Sequence, residues 1–409
     1  MSTSLGCVQP PEVRETVTLG SGGSGTSSPT SAEVTGSDDA DGSGSSGGVV
    51  DDTGPDPSTT SDTDEPPPTS DNRFGIGLVA PGSASQLDLT AELTGPGGWV
   101  RLTFAGIDTG MHDAPPDWKD AVSMAHARDL VPVIRLGPPW GDRRVRNQSD
   151  DPGHLAYGGL AQAYADTVAS LPQRDGWPMV IEVHNEPNLC YEWACDPGDG
   201  NDGWLAYGQA AAEYAHMLSD VANALHGLGD ARIMVMNGGL APGGTVSCEC
   251  GGEGFDPGIT SVEYVQAMRT AVPDLFARLD AWASHSYPAN GLGYGFFVGY
   301  EAPGWDAETG LLYYQHELTA IGTSLPVIIT ETGWTVSPAA GGPGNRDAVA
   351  TWTRSAYERV WLVEPEILAV LPFMLQDPSW DDFAWVAGDG SHYPVFDTVR
   401  DYRCSMGGC

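Results

Sequence analysis

The fold of this 409-residue chain is indicated most clearly by the stretch VIEVHNEPNLCYEW, residues 180–193. A short apolar run, typical of a buried strand, leads there into the polar residues His184, Asn185 and Glu186. The stretch PVIITETGW, residues 326–334, has the same form and places Glu331 at the end of its apolar run. Both stretches therefore predict buried strands that end in polar turns.

From Arg73 onward, apolar strand-like runs of this kind alternate with segments in which apolar residues recur at helical spacing. Strands are predicted over residues 74–80, 99–104, 131–136, 179–184, 232–237, 281–286, 326–331 and 367–375. Eight β–α units predict an α/β fold, a single (β/α)8 TIM barrel over residues 73–409. A doubly wound open sheet is the alternative, and the first strand is not followed by the GxGxxG that would favour it.

Residues 1–72 have a different composition, rich in Gly, Ser, Thr, Pro and Asp, with almost nothing to bury. Such a segment is predicted to be a disordered acidic tail that spaces the barrel from a surface. Leu5-Gly6-Cys7 resembles the end of a bacterial lipoprotein signal and suggests a lipid anchor at Cys7. No basic or apolar stretch precedes it, so a mis-assigned start, a truncated sequence and coincidence all stay open.

The net charge of the chain limits its binding partners, and its cysteines indicate the cellular compartment. A net charge of −37 makes nucleic acid and anionic membrane surfaces poor partners. No apolar run reaches the ~18 residues of a membrane-spanning helix. Disulfides are expected at Cys190–Cys195 and Cys404–Cys409, while the pairing of Cys248 and Cys250 stays open and free thiols are the alternative. The protein is expected to be secreted or held at a bacterial cell surface or in the periplasm, as a monomer.

The candidate site consists of the polar and aromatic residues at the predicted strand ends, where a barrel of this kind carries its chemistry. They are Arg101, Trp140, His184, Asn185, Glu186, His285, Tyr287, Glu331, Trp334, Gln376 and Asp377. Cleavage of a glycosidic bond needs one carboxyl group that donates a proton and one that stays charged. A lone glutamate at a barrel rim is more often part of a loop salt bridge, but Glu186 and Glu331 together, in these two sequence settings, predict a catalytic pair.

The same residues carry a resemblance to a known group of enzymes. Asn185-Glu186-Pro187 after the fourth strand, His285-Ser286-Tyr287 after the sixth and Glu331 after the seventh resemble glycoside hydrolase clan A. NEPN, TETGW and the LTFAGID that covers the end of the second strand are most similar to families 5 and 39 and their relatives. The resemblance covers residues 73 to about 400 and implies a TIM barrel with a retaining mechanism.

The resemblance also implies roles. Glu186 would be the general acid and then the general base, and Glu331 the nucleophile that forms a glycosyl–enzyme intermediate. Asn185 would hydrogen-bond the sugar 2-hydroxyl, while Arg101 and Tyr287 would keep Glu331 charged. The two carboxyl groups should then lie roughly 5 Å apart. His285 is expected to contact substrate as well. Core packing is the alternative for His184 and His285, and pairing with a buried acid is the alternative for Arg101.

Aromatic residues near the rim are candidates for stacking on sugar rings, since flat apolar rings pack on the C–H face of pyranosides. They are Trp140, Trp193 and Trp334, with loop packing as the alternative. The eighth strand departs from the clan, because many members carry a tryptophan there whereas this chain has Phe373, Met374 and Gln376, with Trp380 further along.

The sequence therefore predicts a retaining glycoside hydrolase that acts on a β-linked polysaccharide or oligosaccharide, with no organic cofactor or metal. A transglycosylase would use the same residues. A carbohydrate-binding protein on a decayed barrel is a further alternative. A metal-dependent barrel hydrolase is disfavoured, because the first strand, FGIGLVA, offers no ligand.

Overall fold

The computed structural model describes residues 71–138, 144–193, 207–241, 260–288, 310–338, 342–407 and 409. Trp140, Cys7, Cys195, Cys248 and Cys250 lie outside these residues, so the predictions that rest on them stay predictions. Among the described helices, none combines the length and the apolar character that a membrane crossing requires.

All eight predicted strands are present in the described part of the chain. They are β1 (Gly75–Gly77), β2 (Trp99–Ala105), β3 (Val131–Gly137), β4 (Met179–Val183), β5 (Ile233–Asn237), β6 (Trp282–Ser284), β7 (Val327–Ile329) and β8 (Ile367–Val370). The strands β1, β6, β7 and β8 are shorter than predicted. Pro372, which has no N–H to donate to a ladder, follows the end of β8.

Helices fill the intervals, as the apolar spacing predicts. They are α1 (Ala84–Thr94), α2 (Pro116–His126), α3 (Gly158–Ala169), α4 (Cys190–Trp193), α5 (Tyr207–His226), α6 (Ser261–Ala271), α7 (Tyr314–Ile321), α8 (Arg346–Ala356) and α9 (Pro394–Ser405). Both α1 and α6 begin with a capping box, formed by Ser83 with Gln86 and by Thr260 with Glu263. The helical stripe of α2 is buried at Trp118, as its spacing predicts.

The strands pair in parallel, in the order β1-β2-β3-β4-β5 in one sheet and β6-β7-β8 in the other. Among the described strands, sheet neighbours follow one another along the chain, whereas a doubly wound sheet reverses its order. Main-chain hydrogen bonds also join β8 to the residues that lead into β1, with Val370 N donating to Arg73 O at 3.0 Å. Between β5 and β6, Ala283 N donates to Asn237 Oδ1 at 2.9 Å. The chain is thus an α/β protein built on parallel sheets whose edges are bridged at both junctions.

Side chains alternate between the two faces of each strand, as the period of two requires. Residues on one face pack against the helices, and those on the other form a separate interior cluster drawn from both sheets. That cluster contains Trp99, Val131, Val133, Val180, Met234, Met236, Ala281, Ala283, Ile328, Ala369 and Leu371. The same alternation, continued toward the carboxyl ends, turns Arg101, Arg135 and Glu182 into the interior.

At the C-terminus, Cys404 near the end of α9 forms a disulfide with Cys409. This confirms one of the two predicted pairings.

Candidate active site

The carboxyl ends of β2, β4, β6 and β7 bring the predicted polar residues together. Arg101 lies within β2, Glu186 follows β4, His285 follows β6 and Glu331 follows β7. One carboxylate oxygen of Glu186, one of Glu331 and one ring nitrogen of His285 all lie within 4.8 Å of one another. The two acids therefore share one pocket, as the sequence predicts.

Arg101 links three acidic or amide side chains in the interior. Its Nη1 donates to Glu331 Oε1 at 2.7 Å, its Nε donates to Glu182 Oε2 at 2.6 Å, and its Nη2 donates to Asn185 Oδ1 at 3.0 Å. Burial lowers the pKa of Arg101, but the charges of Glu182 and Glu331 outweigh it and raise that pKa above its ordinary value. Arg101 thus pairs with a buried acid and with the candidate nucleophile at once.

Glu182, on β4, is a fully buried acid that the sequence reading missed. Besides Arg101, Thr330 Oγ1 donates to its Oε1 at 3.0 Å and Gly239 N at 3.2 Å. Burial raises the pKa of Glu182, yet the Arg101 charge and hydrogen bonding from His285 and Arg101 lower it to about 2. Glu182 is therefore a fixed negative charge. The sequence VIEVHNEP does contain a signal for this position. Side chains alternate between the two faces of a strand, so Glu182 lies on the same interior face as Val180.

His285 is buried among three carboxylates. Its Nδ1 lies 2.9 Å from Glu186 Oε1 and 3.8 Å from Glu331 Oε2, and its Nε2 lies 3.7 Å from Glu182 Oε1. Burial lowers the pKa of His285, but the Glu331 charge and hydrogen bonds to Glu182 and Glu186 raise it to about 10. His285 is thus an imidazolium at neutral pH, and its Nδ1 donates to Glu186. This contact with the acids replaces the alternative of a merely packed core histidine.

Gly239, after β5, is a glycine that the site geometry requires. A Cβ there would lie 2.2 Å from His285 Cδ2, closer than real Cβ contacts allow. The same residue donates its N–H to Glu182 and accepts a bond from Glu186 N at 2.9 Å through its carbonyl. Gly239 therefore lets the histidine approach while it fixes the backbone of Glu186.

The backbone that carries the candidate acid is itself unusual. His184 has φ 78° and Glu186 has φ 42°, in the left-handed region that residues other than glycine seldom adopt. Such positions cost roughly 1–3 kcal/mol each and cluster at functional sites. His184 is fully buried with its ring 5.5 Å from Trp193, so it packs beneath the site. The polar contacts above hold this turn in place.

The two candidate catalytic acids differ in their electrostatics. Burial raises the pKa of Glu186, and the Glu331 charge adds to this, against the opposing effect of His285. Burial raises the pKa of Glu331 as well, but the charges of His285 and Arg101 outweigh it and lower that pKa below its ordinary value. Tyr287 Oη also donates to Glu331 Oε2 at 3.2 Å. One acid is thus tuned to hold a proton and the other to stay charged.

Among the described residues, Glu186, His285 and Glu331 are also the ones whose donor atoms could reach a single metal ion. Arg101 and the imidazolium of His285 already supply positive charge to both acids. A cation at this position would therefore compete with two resident charges, which disfavours metal binding there.

Two of the predicted sugar-stacking tryptophans are buried in the core instead. Trp334 is 2% exposed, with ring centroids 6.2 Å from Trp352 and 6.4 Å from Trp361. Trp193 is 1% exposed and donates its Nε1 to Glu213 Oε2 at 3.3 Å. Burial of both rings favours the packing alternative over sugar stacking for Trp334 and Trp193.

Gln376 and Asp377, which follow β8, make hydrogen bonds within the loop that comes after them. Gln376 Nε2 donates to Ala387 O, and Asp377 Oδ1 accepts a bond from Ser379 N at 2.7 Å. Neither contact reaches the two candidate acids. Both residues therefore shape this loop.

Comparison with known proteins gives the same fold. No family model and no curated protein matches the chain. A family 39 glycoside hydrolase from Bacteroides cellulosilyticus WH2 is similar in structure, with 18% identity and a TM-score of 0.50 over 81% of this chain and 64% of that one. This chain thus spans less than two thirds of that relative.

Two further solved structures are similar. A monomeric β-xylosidase from Caulobacter crescentus CB15 shares 17% identity and a TM-score of 0.51, over 83% of this chain and 69% of that chain. A family 5, subfamily 18 protein from Streptomyces cattleya, in complex with Manβ1-4GlcNAc, shares 15% identity and a TM-score of 0.50, over 82% and 80%. The chain has the fold of the clan A glycoside hydrolases, and the resemblance read from its motifs is confirmed at the level of fold.

Proposed function

We propose that this protein is a retaining glycoside hydrolase on a closed (β/α)8 barrel, with Glu331 as nucleophile and Glu186 as acid and base. The observation that carries the proposal is the pair of carboxylates with oxygens within 4.8 Å and pKa values shifted in opposite directions. Retaining glycosidases hold their two carboxyl groups about 5–5.5 Å apart, whereas inverting enzymes need about 6.5–9.5 Å. The separation supports the retaining class.

The first step forms a covalent intermediate. The Glu331 carboxylate attacks the anomeric carbon, and a C–O bond to the sugar forms as the glycosidic bond breaks. Glu186 transfers its proton to the departing glycosidic oxygen, so the leaving group departs as an alcohol. Arg101 and Tyr287 orient the attacking carboxylate through their bonds of 2.7 and 3.2 Å.

The second step depends on the loss of the Glu331 negative charge in the first step. Once Glu331 is an ester, its negative charge no longer raises the pKa of Glu186, while His285 continues to lower it. Glu186 is then poised as a base that takes a proton from water. The water oxygen attacks the anomeric carbon and releases Glu331, so the product keeps the starting anomeric configuration.

A β-linked glycan is the proposed substrate class. The Caulobacter relative is a β-xylosidase and the Streptomyces structure contains Manβ1-4GlcNAc, both of which support β-linked sugars. The Cys404–Cys409 disulfide supports action outside the cytoplasm, in a secreted or surface-held form.

The test is hydrolysis of a panel of aryl β-glycosides and of β-glucan, xylan, mannan and galactan, followed by product sizing. Wild type should cleave at least one member, and Glu331→Gln should lose more than about 10³-fold in turnover while keeping its fold. Glu358→Gln, which alters an exposed acid paired with Arg354, is the control. Binding without hydrolysis by the wild type would contradict the proposal and favour a carbohydrate-binding protein. Products longer than the substrate would indicate a transglycosylase.

A further inference from the structure

We infer that Trp380, Phe373 and Phe383 form an aromatic platform beside the catalytic acids, and that its ligand is a sugar ring of the substrate other than the one cleaved. The inference rests on the proposed function, and it assigns a binding site within that function. These three residues are called the aromatic platform below.

The first observation is exposure. Among the described residues, the large hydrophobic side chains that are exposed are Leu155, Leu228, Val363, Met406 and Trp380. Trp380 is the aromatic member of this set, with 40% of its surface open to solvent. A tryptophan ring left in water forgoes a large hydrophobic gain, and a ligand that covers the ring would recover it.

The second observation is that the ring is held in one orientation. Trp380 lies in T-shaped contact with Phe373, at 5.7 Å between centroids, and with Phe383, at 6.3 Å. Phe373 and Phe383 also contact each other at 5.7 Å. Three mutually packed rings keep the indole from folding onto the surface.

The loop beneath the platform is anchored as well. Arg346 Nη2 donates to the carbonyl of Asp381 at 3.0 Å and to its side chain at 2.9 Å. Tyr393 Oη donates to Asp381 Oδ1 at 2.8 Å, and the Arg346 guanidinium stacks over the Tyr393 ring at 3.3 Å. A ligand would therefore meet a preformed surface and lose little entropy in ordering it.

The platform adjoins the candidate nucleophile through the backbone. Phe373 N donates to Thr332 O at 2.9 Å, and Thr332 is the residue after Glu331. Val336 N donates to Asp382 O at 2.9 Å and ties the loop after β7 to the loop that carries Trp380. The segment that carries the platform is thus joined to the loop that follows Glu331, and the inference places the neighbouring sugar rings on this side of the site.

The ligand class follows from the chemistry of the surface. A flat, apolar indole face complements the C–H face of a pyranose, whereas an anionic or strongly polar ligand gains little from it. The residues that supply charge to the site, Arg101 and His285, are buried beneath the acids. The aromatic platform should therefore favour substrates that carry a further sugar ring over substrates that have only the ring being cleaved.

The experiment compares kcat/KM on an aryl monoglycoside with kcat/KM on an oligosaccharide of the same sugar, for wild type, Trp380→Ala and Trp380→Phe. We expect Trp380→Ala to lose about 10-fold on the oligosaccharide and little on the monoglycoside, with Trp380→Phe in between. Leu228→Ala, which removes another exposed hydrophobic side chain, should leave both values unchanged. Equal values for wild type and Trp380→Ala on the oligosaccharide, or equal losses on both substrates, would overturn the inference while the proposed function stands.

A wild type without hydrolytic activity would instead refute the proposed function. In that case the platform is tested by binding. The migration of wild type and of each variant is measured in native gels that contain the same polysaccharides. Retardation of wild type that is reduced in Trp380→Ala supports the platform. Absence of retardation, or equal retardation of both proteins, contradicts it.

Discussion

Glu186 and Glu331 have the same side chain, and only their surroundings separate their roles. His285 and Arg101 stabilise the charge on Glu331, while burial and the Glu331 charge favour the proton on Glu186. His285 Nδ1 lies 2.9 Å from Glu186 and 3.8 Å from Glu331. A single imidazolium therefore influences both acids, and the protonation states of the three groups are linked.

Replacing the proton donor should affect substrates unequally. In Glu186→Ala, glycosides with good leaving groups, such as dinitrophenyl glycosides, should be cleaved far better than natural ones, because they need little protonation. The measurement is kcat/KM across a series of leaving groups of rising pKa, which should give a steeper dependence than in wild type. An unchanged slope would show that Glu186 is not the acid.

Removing the imidazolium should move the pH dependence. His285 lowers the pKa of both acids, so His285→Gln should raise both of them. The acid limb, where Glu331 becomes protonated, and the alkaline limb, where Glu186 loses its proton, should both shift to higher pH. The pH profile of kcat/KM for wild type and variant measures this. A shift of either limb to lower pH would contradict the assigned charge of His285.

The strands, rather than single residues, determine which side chains meet. Arg101 on β2 and Glu182 on β4 form a buried ion pair across the intervening β3. Removing one partner of such a pair leaves the other charge buried without compensation.

Glu182→Gln should therefore lower the free energy of unfolding by about 3 kcal/mol, measured by urea denaturation at neutral pH. Glu358→Gln, in an exposed pair with Arg354, should change it little. The folded pKa of Glu182 is about 2, below its unfolded value, so its contribution is present above the unfolded pKa and is lost as the pH falls toward 2. Equal effects of the two variants would show that the Arg101–Glu182 pair contributes little.

The positions of the strands and helices are easier to predict from sequence than the surroundings of individual side chains. Apolar runs bounded by polar turns predict all eight strands, and the strand ends then indicate Glu186 and Glu331. Glu182 is harder to predict as a site residue, because its apolar run is typical of a uniformly buried strand, although the alternation of side chains along the strand turns it inward. Trp334 and Trp193 look like rim aromatics in sequence, since nothing local distinguishes a loop ring that faces solvent from one that packs inward. Only the tertiary structure reveals that Trp380 is the aromatic member of the exposed large hydrophobic side chains among the described residues.

The whole chain combines a predicted acidic tail over residues 1–72 with the α/β unit that carries the site. A segment with so little to bury should be cleaved readily by a broad-specificity protease, whereas the packed strands and helices should resist. Limited proteolysis should therefore yield a stable fragment that begins near residue 72 and keeps full kcat/KM on an aryl glycoside. Loss of activity upon cleavage of the tail would contradict its role as a spacer.

Covalent labelling tests the catalytic pair itself. Wild type is incubated with 2-deoxy-2-fluoro glycosyl fluorides of gluco, manno, xylo and galacto configuration, digested, and mapped by mass spectrometry. The paired carboxylates predict one fluorosugar on the peptide that contains Glu331, and no label in Glu331→Gln. A wild type that hydrolyses glycosides yet carries the sugar on another residue, or that releases product of inverted configuration, would contradict the pairing of Glu186 with Glu331.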